Sequence, residues 1–169
     1  MNKSIRKTVY LALLVAVGLI LGIVESWLPM PFSVPGFKLG VSNVVGLMVI
    51  LMYSLKEGIA VVGLKSILFS LATGNIMALP YSLAGGILSV FIMYLGLRYL
   101  KNQLSLIGIS ILGALAHNLG QVIIGMLIIE NWRLIIYYPY MALISIFSGG
   151  FIGFVGLYLS KYSKHFSAI

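Results

Sequence analysis

The chain has 169 residues, enough for one domain, with 61% apolar and only 8% charged residues. A soluble domain carries about 25% charged residues, and a mean hydropathy of +1.12 leaves too little polar surface to coat a water-soluble particle. The absence of Cys excludes a disulfide framework, a thiolate metal site and a cysteine nucleophile. Glu25, Glu57 and Glu130 are the whole acidic inventory, with no Asp, which excludes an Asp-rich Mg²⁺ site. A net charge of +8 does not imply nucleic acid, because the basic residues sit at the ends of apolar runs, where lipid headgroups and topology rules place them.

At the N-terminus, Lys3, Arg6 and Lys7 precede an apolar run of about twenty residues, enough to span a bilayer. No small-residue cleavage site in polar sequence follows it, so a membrane helix is expected rather than a removable leader. In chain order the sequence predicts six transmembrane helices at 8–28, 39–54, 58–73, 80–99, 105–129 and 139–160, an all-α polytopic membrane bundle forming one domain. The second and third are short and joined by a tight turn over 54–58. Pro29, Pro31 and Pro35 fall in the first loop. Pro80 and Pro139 open the fourth and sixth helices, where a missing N–H costs nothing. Ala12/Ala16 and Gly18/Gly22 form small-residue pairs in the first helix, and Ser145, Gly149, Gly153 and Gly156 line one face of the sixth. Such ridges let helix backbones approach closely in lipid.

The basic residues predict orientation. With the N-terminus inside, Lys3, Arg6, Lys7, Lys56, Arg98, Lys101, Lys161 and Lys164 fall on the inner side, Lys38 and Arg133 fall outside, and Lys65 lies within a span. This is a clear positive-inside bias. It agrees with an even number of spans, which puts both termini in the cytoplasm of a multi-pass protein of a bacterial cell membrane.

Polar groups at membrane depth are expensive and usually functional. Here they converge on the predicted outer half. Glu25 ends the first helix on the face of Gly18 and Gly22. Lys38, Ser42 and Asn43 open the second, Lys65 lies near the middle of the third, and Thr73 and Asn75 are in the loop after it, ahead of Tyr81 and Ser82. On the fifth helix His117, Asn118 and Gln121 form an H-N-x-x-Q cluster in which His117 and Gln121 share a face. Tyr137, Tyr138 and Tyr140 suit an interfacial aromatic belt. The pattern predicts a ligand cavity opening outward near the bundle axis, lined by Glu25, Lys38, Asn43, Lys65, Asn75, His117, Asn118 and Gln121. Each has a plainer reading: Lys65 can snorkel or pair with Glu25, and Asn43 and Asn75 can cap helices. No triad, metal site or phosphate-cradling loop is present in the sequence, so no catalytic residue, metal or cofactor is expected, and energy for active transport has to come from a partner.

Four stretches carry a family resemblance: "GIVESWLP" around Glu25, "PGFKLGVSNVVGL" at 35–47, "YSLAGGILS" at 81–89 and "GALAHNLGQ" at 113–121. Together they resemble the Gx transporter family, also labelled heptaprenyl diphosphate synthase component I. That family is similar in size and layout to the S components of energy-coupling factor (ECF) transporters. The resemblance implies a six-helix subunit that binds a vitamin-like or amphipathic molecule in an outward-facing pocket. It also implies docking on a membrane coupling subunit with two ATPases. An Ala-xxx-Ala motif on the first helix serves docking in such proteins, and Ala12 and Ala16 match it. The family's second label implies an alternative, a noncatalytic membrane subunit bound to a separate prenyl synthase.

Overall fold

The computed structural model describes residues 3–27 and 38–163. Pro29, Pro31, Pro35 and Lys164 lie outside the described residues. The described chain is all-helical: α1 (Lys3–Ser26), α2 (Asn43–Met52), α3 (Leu55–Thr73), α4 (Ala78–Leu95), α5 (Leu106–Ile129) and α6 (Tyr138–Ser163). A π-helical turn, Gly96–Leu100, prolongs α4, and a 3-10 turn, Trp132–Tyr137, leads into α6. We call the end of the bundle where α1 starts the terminal end, and the opposite end, where α1 finishes, the far end.

Four segments are long and apolar enough to cross a membrane: α1, α4 with its π turn, α5, and the 3-10 turn with α6. The other two differ in kind. α3 has 19 residues but includes Lys56, Glu57 and Lys65. α2 has ten residues, about 15 Å of helix, half of the roughly 30 Å hydrocarbon core. The sequence predicts helix from 39, yet regular helix begins only at Asn43. The cause is local. Glu25 at the end of α1 accepts the N–H of Gly40 and, at 3.4 Å, that of Ser42. Gly40 has φ +82°, a left-handed conformation that suits glycine.

α2 is the centre of the bundle. Every residue from Asn43 to Ile50 is buried, and the helix packs against α1, α3, α4 and α6. Val44, Val45, Leu47, Val49 and Ile50 join Val15, Val61, Val62, Val90, Met93, Ile109 and Ile152 in one core. A helix apolar all round belongs in such a position. The outer helices instead keep apolar side chains on their exterior, such as Leu13, Leu64, Phe91, Leu127 and Phe147, as expected where lipid is the solvent.

Small residues set the closest helix contacts. A methyl group added at Gly149 or Gly153 of α6 would stand 2.7 Å or 2.5 Å from the Cα of Ile111 or Ile107 in α5, so this ridge serves packing within the chain. On α1, Gly18 and Gly22 receive the stem of Lys65 and the ring of Phe69 from α3. At the terminal end, Lys7 Nζ donates to Glu57 Oε1 at 2.6 Å. The Ser54 hydroxyl donates to the other oxygen while accepting from the Lys56 N–H as the N-cap of α3. This pair fastens the start of α1 to the start of α3.

Candidate functional site

The buried polar residues Glu25, Ser42, Asn43, Lys65, His117 and Gln121 gather between α1, α2, α3 and α5, toward the far end. Their frame is Glu25, which is 5% exposed although it ends an otherwise lightly buried helix. Each of its oxygens takes a backbone N–H, so the carboxylate is satisfied without a cation in contact. Among the described residues the only ion pair is Lys7–Glu57. Lys65 therefore does not pair directly with Glu25. Its ammonium donates to Ser42 Oγ at 2.9 Å, and Ser42 also gives its N–H to Glu25. The two charges face each other across one serine. Lys65 is 4% exposed, and its stem lies against Gly18, so it does not snorkel to an interface.

Lys38 lies in the non-helical segment ahead of α2, with its ammonium over the face of Phe69, 2.9 Å from the ring centre. Burial pushes this amine down to about 8, with Glu25 opposing the shift and Lys65 adding to it. At pH 7 it remains mostly protonated. The backbone of Lys38 meets α5. With the Gln121 amide turned so that both of its atoms find partners, its oxygen accepts from His117 Nε2 at 3.1 Å and the Lys38 N–H at 3.3 Å. Its nitrogen then donates to the Lys38 carbonyl at 3.2 Å. That orientation assigns the histidine proton to Nε2. The Nδ1 side of the His117 ring is buried against the backbone of Gly85 of α4, where an added methyl would stand 2.9 Å from Nδ1. Asn43, 1% exposed, has neither amide atom paired among the described residues. Gly40 lies between Asn43 and His117, for a methyl there would stand 2.9 Å from Asn43 Nδ2 and 3.0 Å from His117 Cδ2.

Six of the eight residues expected at the site thus converge: Glu25, Lys38, Asn43, Lys65, His117 and Gln121. Two do not. Asn118 follows His117 by one residue and so points about 100° away on the helix. Its amide donates to Ser145 Oγ at 2.7 Å and to the Met141 carbonyl at 3.1 Å, clamping α5 to α6. Asn75 is exposed, and its side chain accepts the Ala78 N–H at 3.1 Å, capping the start of α4. The structure adds further participants, of which Phe69 and Ser66 have no sequence signal of their own, while Ser82 and Gly85 lie in the family-like stretch 81–89. Phe69 walls Lys38, Gly85 seats the histidine, and Ser66 bonds Ser82 at 2.8 Å to join α3 to α4 beside the cluster. Ala12 and Ala16 are exposed on α1, on the side turned away from this site. Among the described residues no group of three His, Cys, Asp or Glu is placed to hold a metal.

The fold resembles a known one. A solved structure of the S component of a bacterial ECF transporter matches with a TM-score of 0.72 and 20% identity, covering 99% of this chain and 100% of that chain. This fold likeness runs end to end, and with the long apolar helices it makes the chain a multi-pass membrane protein of S-component fold. No curated protein matches it in sequence. The family model described as heptaprenyl diphosphate synthase component I matches residues 14–159, which takes in every residue of the cluster, and the chain belongs to that family.

Proposed function

We propose that this chain is the membrane-embedded substrate-binding subunit of an ECF-type transporter, taking a small vitamin-like or amphipathic molecule at the Glu25–Lys65–His117 cluster. One observation carries the reading: on an S-component fold, Glu25, Asn43, Lys65, His117 and Gln121 are buried together toward one end of the bundle, with the Asn43 amide unpaired among the described residues. A buried unpaired polar group costs about 1–3 kcal/mol, and at this cluster the polar atoms of a ligand would offset that cost. The role is binding rather than catalysis.

Orientation belongs to the same proposal. Lys3, Arg6, Lys7, Lys56, Arg98, Lys101 and Lys161 lie at starts or ends of helices on the terminal end, whereas Lys38 and Arg133 lie toward the far end. The positive-inside rule then puts both termini in the cytoplasm and the cluster toward the outside. Exposed Ala12 and Ala16 give α1 a smooth strip in its terminal half for a membrane coupling subunit, whose ATPases supply the energy.

The test is co-purification from native membranes. An ATPase-bearing module should accompany the wild-type chain, and Ala12→Leu should lose it without lowering the melting temperature. The family description favours a second reading, a noncatalytic membrane partner of a prenyl diphosphate synthase. Recovery of a soluble prenyl synthase in place of any ATPase would establish that reading and refute the first.

A further inference from the structure

The charge balance of the cluster is uneven. It holds two ammonium groups, Lys38 and Lys65, and one carboxylate, Glu25. That carboxylate is already engaged by two backbone N–H groups. Neither lysine has a carboxylate within ion-pair distance among the described residues. Lys65 has a hydroxyl as its hydrogen-bond acceptor, and Lys38 has the face of Phe69. A lysine ammonium carries three donors, so among the described residues most of this donor capacity is unused. A buried charge without its counter-charge is strongly unfavourable, and a cation–π contact or a single hydroxyl offsets only part of the deficit. The other side chains of the cluster do not close the gap, because Asn43, His117 and Gln121 are neutral amides and an imidazole whose Nε2 proton is already given to Gln121.

We infer that the molecule bound here carries a carboxylate or phosphoryl group, seated between Lys65 and Lys38 as the missing counter-charge, with Phe69 and the unpaired Asn43 amide beside it. This rests on the substrate-binding reading above and deepens it. Either anion accepts several hydrogen bonds from ammonium groups, and neither needs a metal. A neutral or cationic ligand would leave the net positive charge of two lysines against one carboxylate uncompensated.

The experiment is mass spectrometry of small molecules released from the gently purified protein. Before washing, the protein is incubated with a small-molecule extract of the expression host. Wild type is compared with Lys65→Gln, Lys65→Arg and Lys38→Gln, each checked by gel filtration. The expected result is an acid-bearing molecule retained by wild type, kept by Lys65→Arg, and depleted at least about tenfold in Lys65→Gln and Lys38→Gln. If Lys65→Gln fails to fold, Lys38→Gln, whose side chain is only half-buried, carries the comparison. A retained neutral or cationic molecule would overturn the anion assignment while leaving the binding role standing. An anionic lipid retained equally by wild type and both glutamine variants would overturn it as well. No retained molecule in any variant would overturn the binding role itself.

Discussion

Gly85→Ala isolates how tightly α4 must approach α5 to hold His117. An added methyl would stand 2.9 Å from His117 Cε1, Nδ1 and the His117 carbonyl oxygen. Ordinary contacts to a methyl carbon fall near 3.5–4.0 Å, so the helices must separate by roughly 0.5–1 Å. Turning the imidazole relieves only two of the three contacts, because the third is backbone. Overpacking of this kind costs about 1–3 kcal/mol. Alanine also gains up to about 1 kcal/mol over glycine within a helix, and a control has to remove that gain. Gly63→Ala in α3 serves, since an added methyl there meets nothing within 4 Å. The difference between the two variants is then the clash alone, about 1–3 kcal/mol. At about 2–4 °C per kcal/mol for a chain of this size, Gly85→Ala should melt several degrees below Gly63→Ala in a thermal unfolding assay in detergent. It should also retain less ligand, because His117 moves. Equal melting temperatures for the two alanine variants would refute the close approach.

Further outcomes follow from other contacts. Asn118→Leu removes the amide that clamps α5 to α6 and leaves the Ser145 hydroxyl to its backbone acceptors; it should destabilise by about 1–3 kcal/mol in the same assay while ligand retention by the surviving protein stays unchanged. Asn75→Ala should cost about 1 kcal/mol through the lost cap of α4, again with ligand retention intact; a loss of ligand would return Asn75 to the site. Because the chain has no Cys, single cysteines at Lys56 and Arg133 report orientation directly. A membrane-impermeant thiol reagent added to intact cells should label Arg133→Cys and not Lys56→Cys, and the reverse pattern would invert the proposed topology.

What the sequence made legible was polarity. In a chain so apolar, each charged or amide residue within a run stands out, and so Glu25, Lys38, Asn43, Lys65, His117 and Gln121 could be singled out before any geometry was known. Two kinds of information were missing. Direction was one: Asn118 shares its neighbourhood in sequence with His117 but faces α6, and with apolar residues on all sides of α5 no periodicity reveals which face is which. Partnership was the other. Gly85, Gly40 and Phe69 are ordinary residues of a membrane helix or loop until the helix opposite is known. The early start predicted for α2 has the same origin. Residues 39–42 have no strong helix breaker apart from one glycine, and what unwinds them is a carboxylate fifteen residues earlier in the chain, at Glu25.

The burial of Lys65 against Gly18 bears on how the protein enters the bilayer. A lysine at the centre of a lone helix disfavours insertion by about 2.5–3.5 kcal/mol, and α2 before it is too short to anchor the pair by itself. The α2–α3 hairpin is therefore expected to insert as a dependent of α1, whose glycines offer the lysine stem a dry seat and whose Glu25 organises the segment leading into α2. Synthesis would then place a stable anchor first and a passenger second. In a cell-free insertion assay, chains truncated after Thr73 should integrate efficiently with the native α1. They should fail when α1 is exchanged for a polyleucine span of equal length, and equal integration of the two would show that α3 crosses on its own.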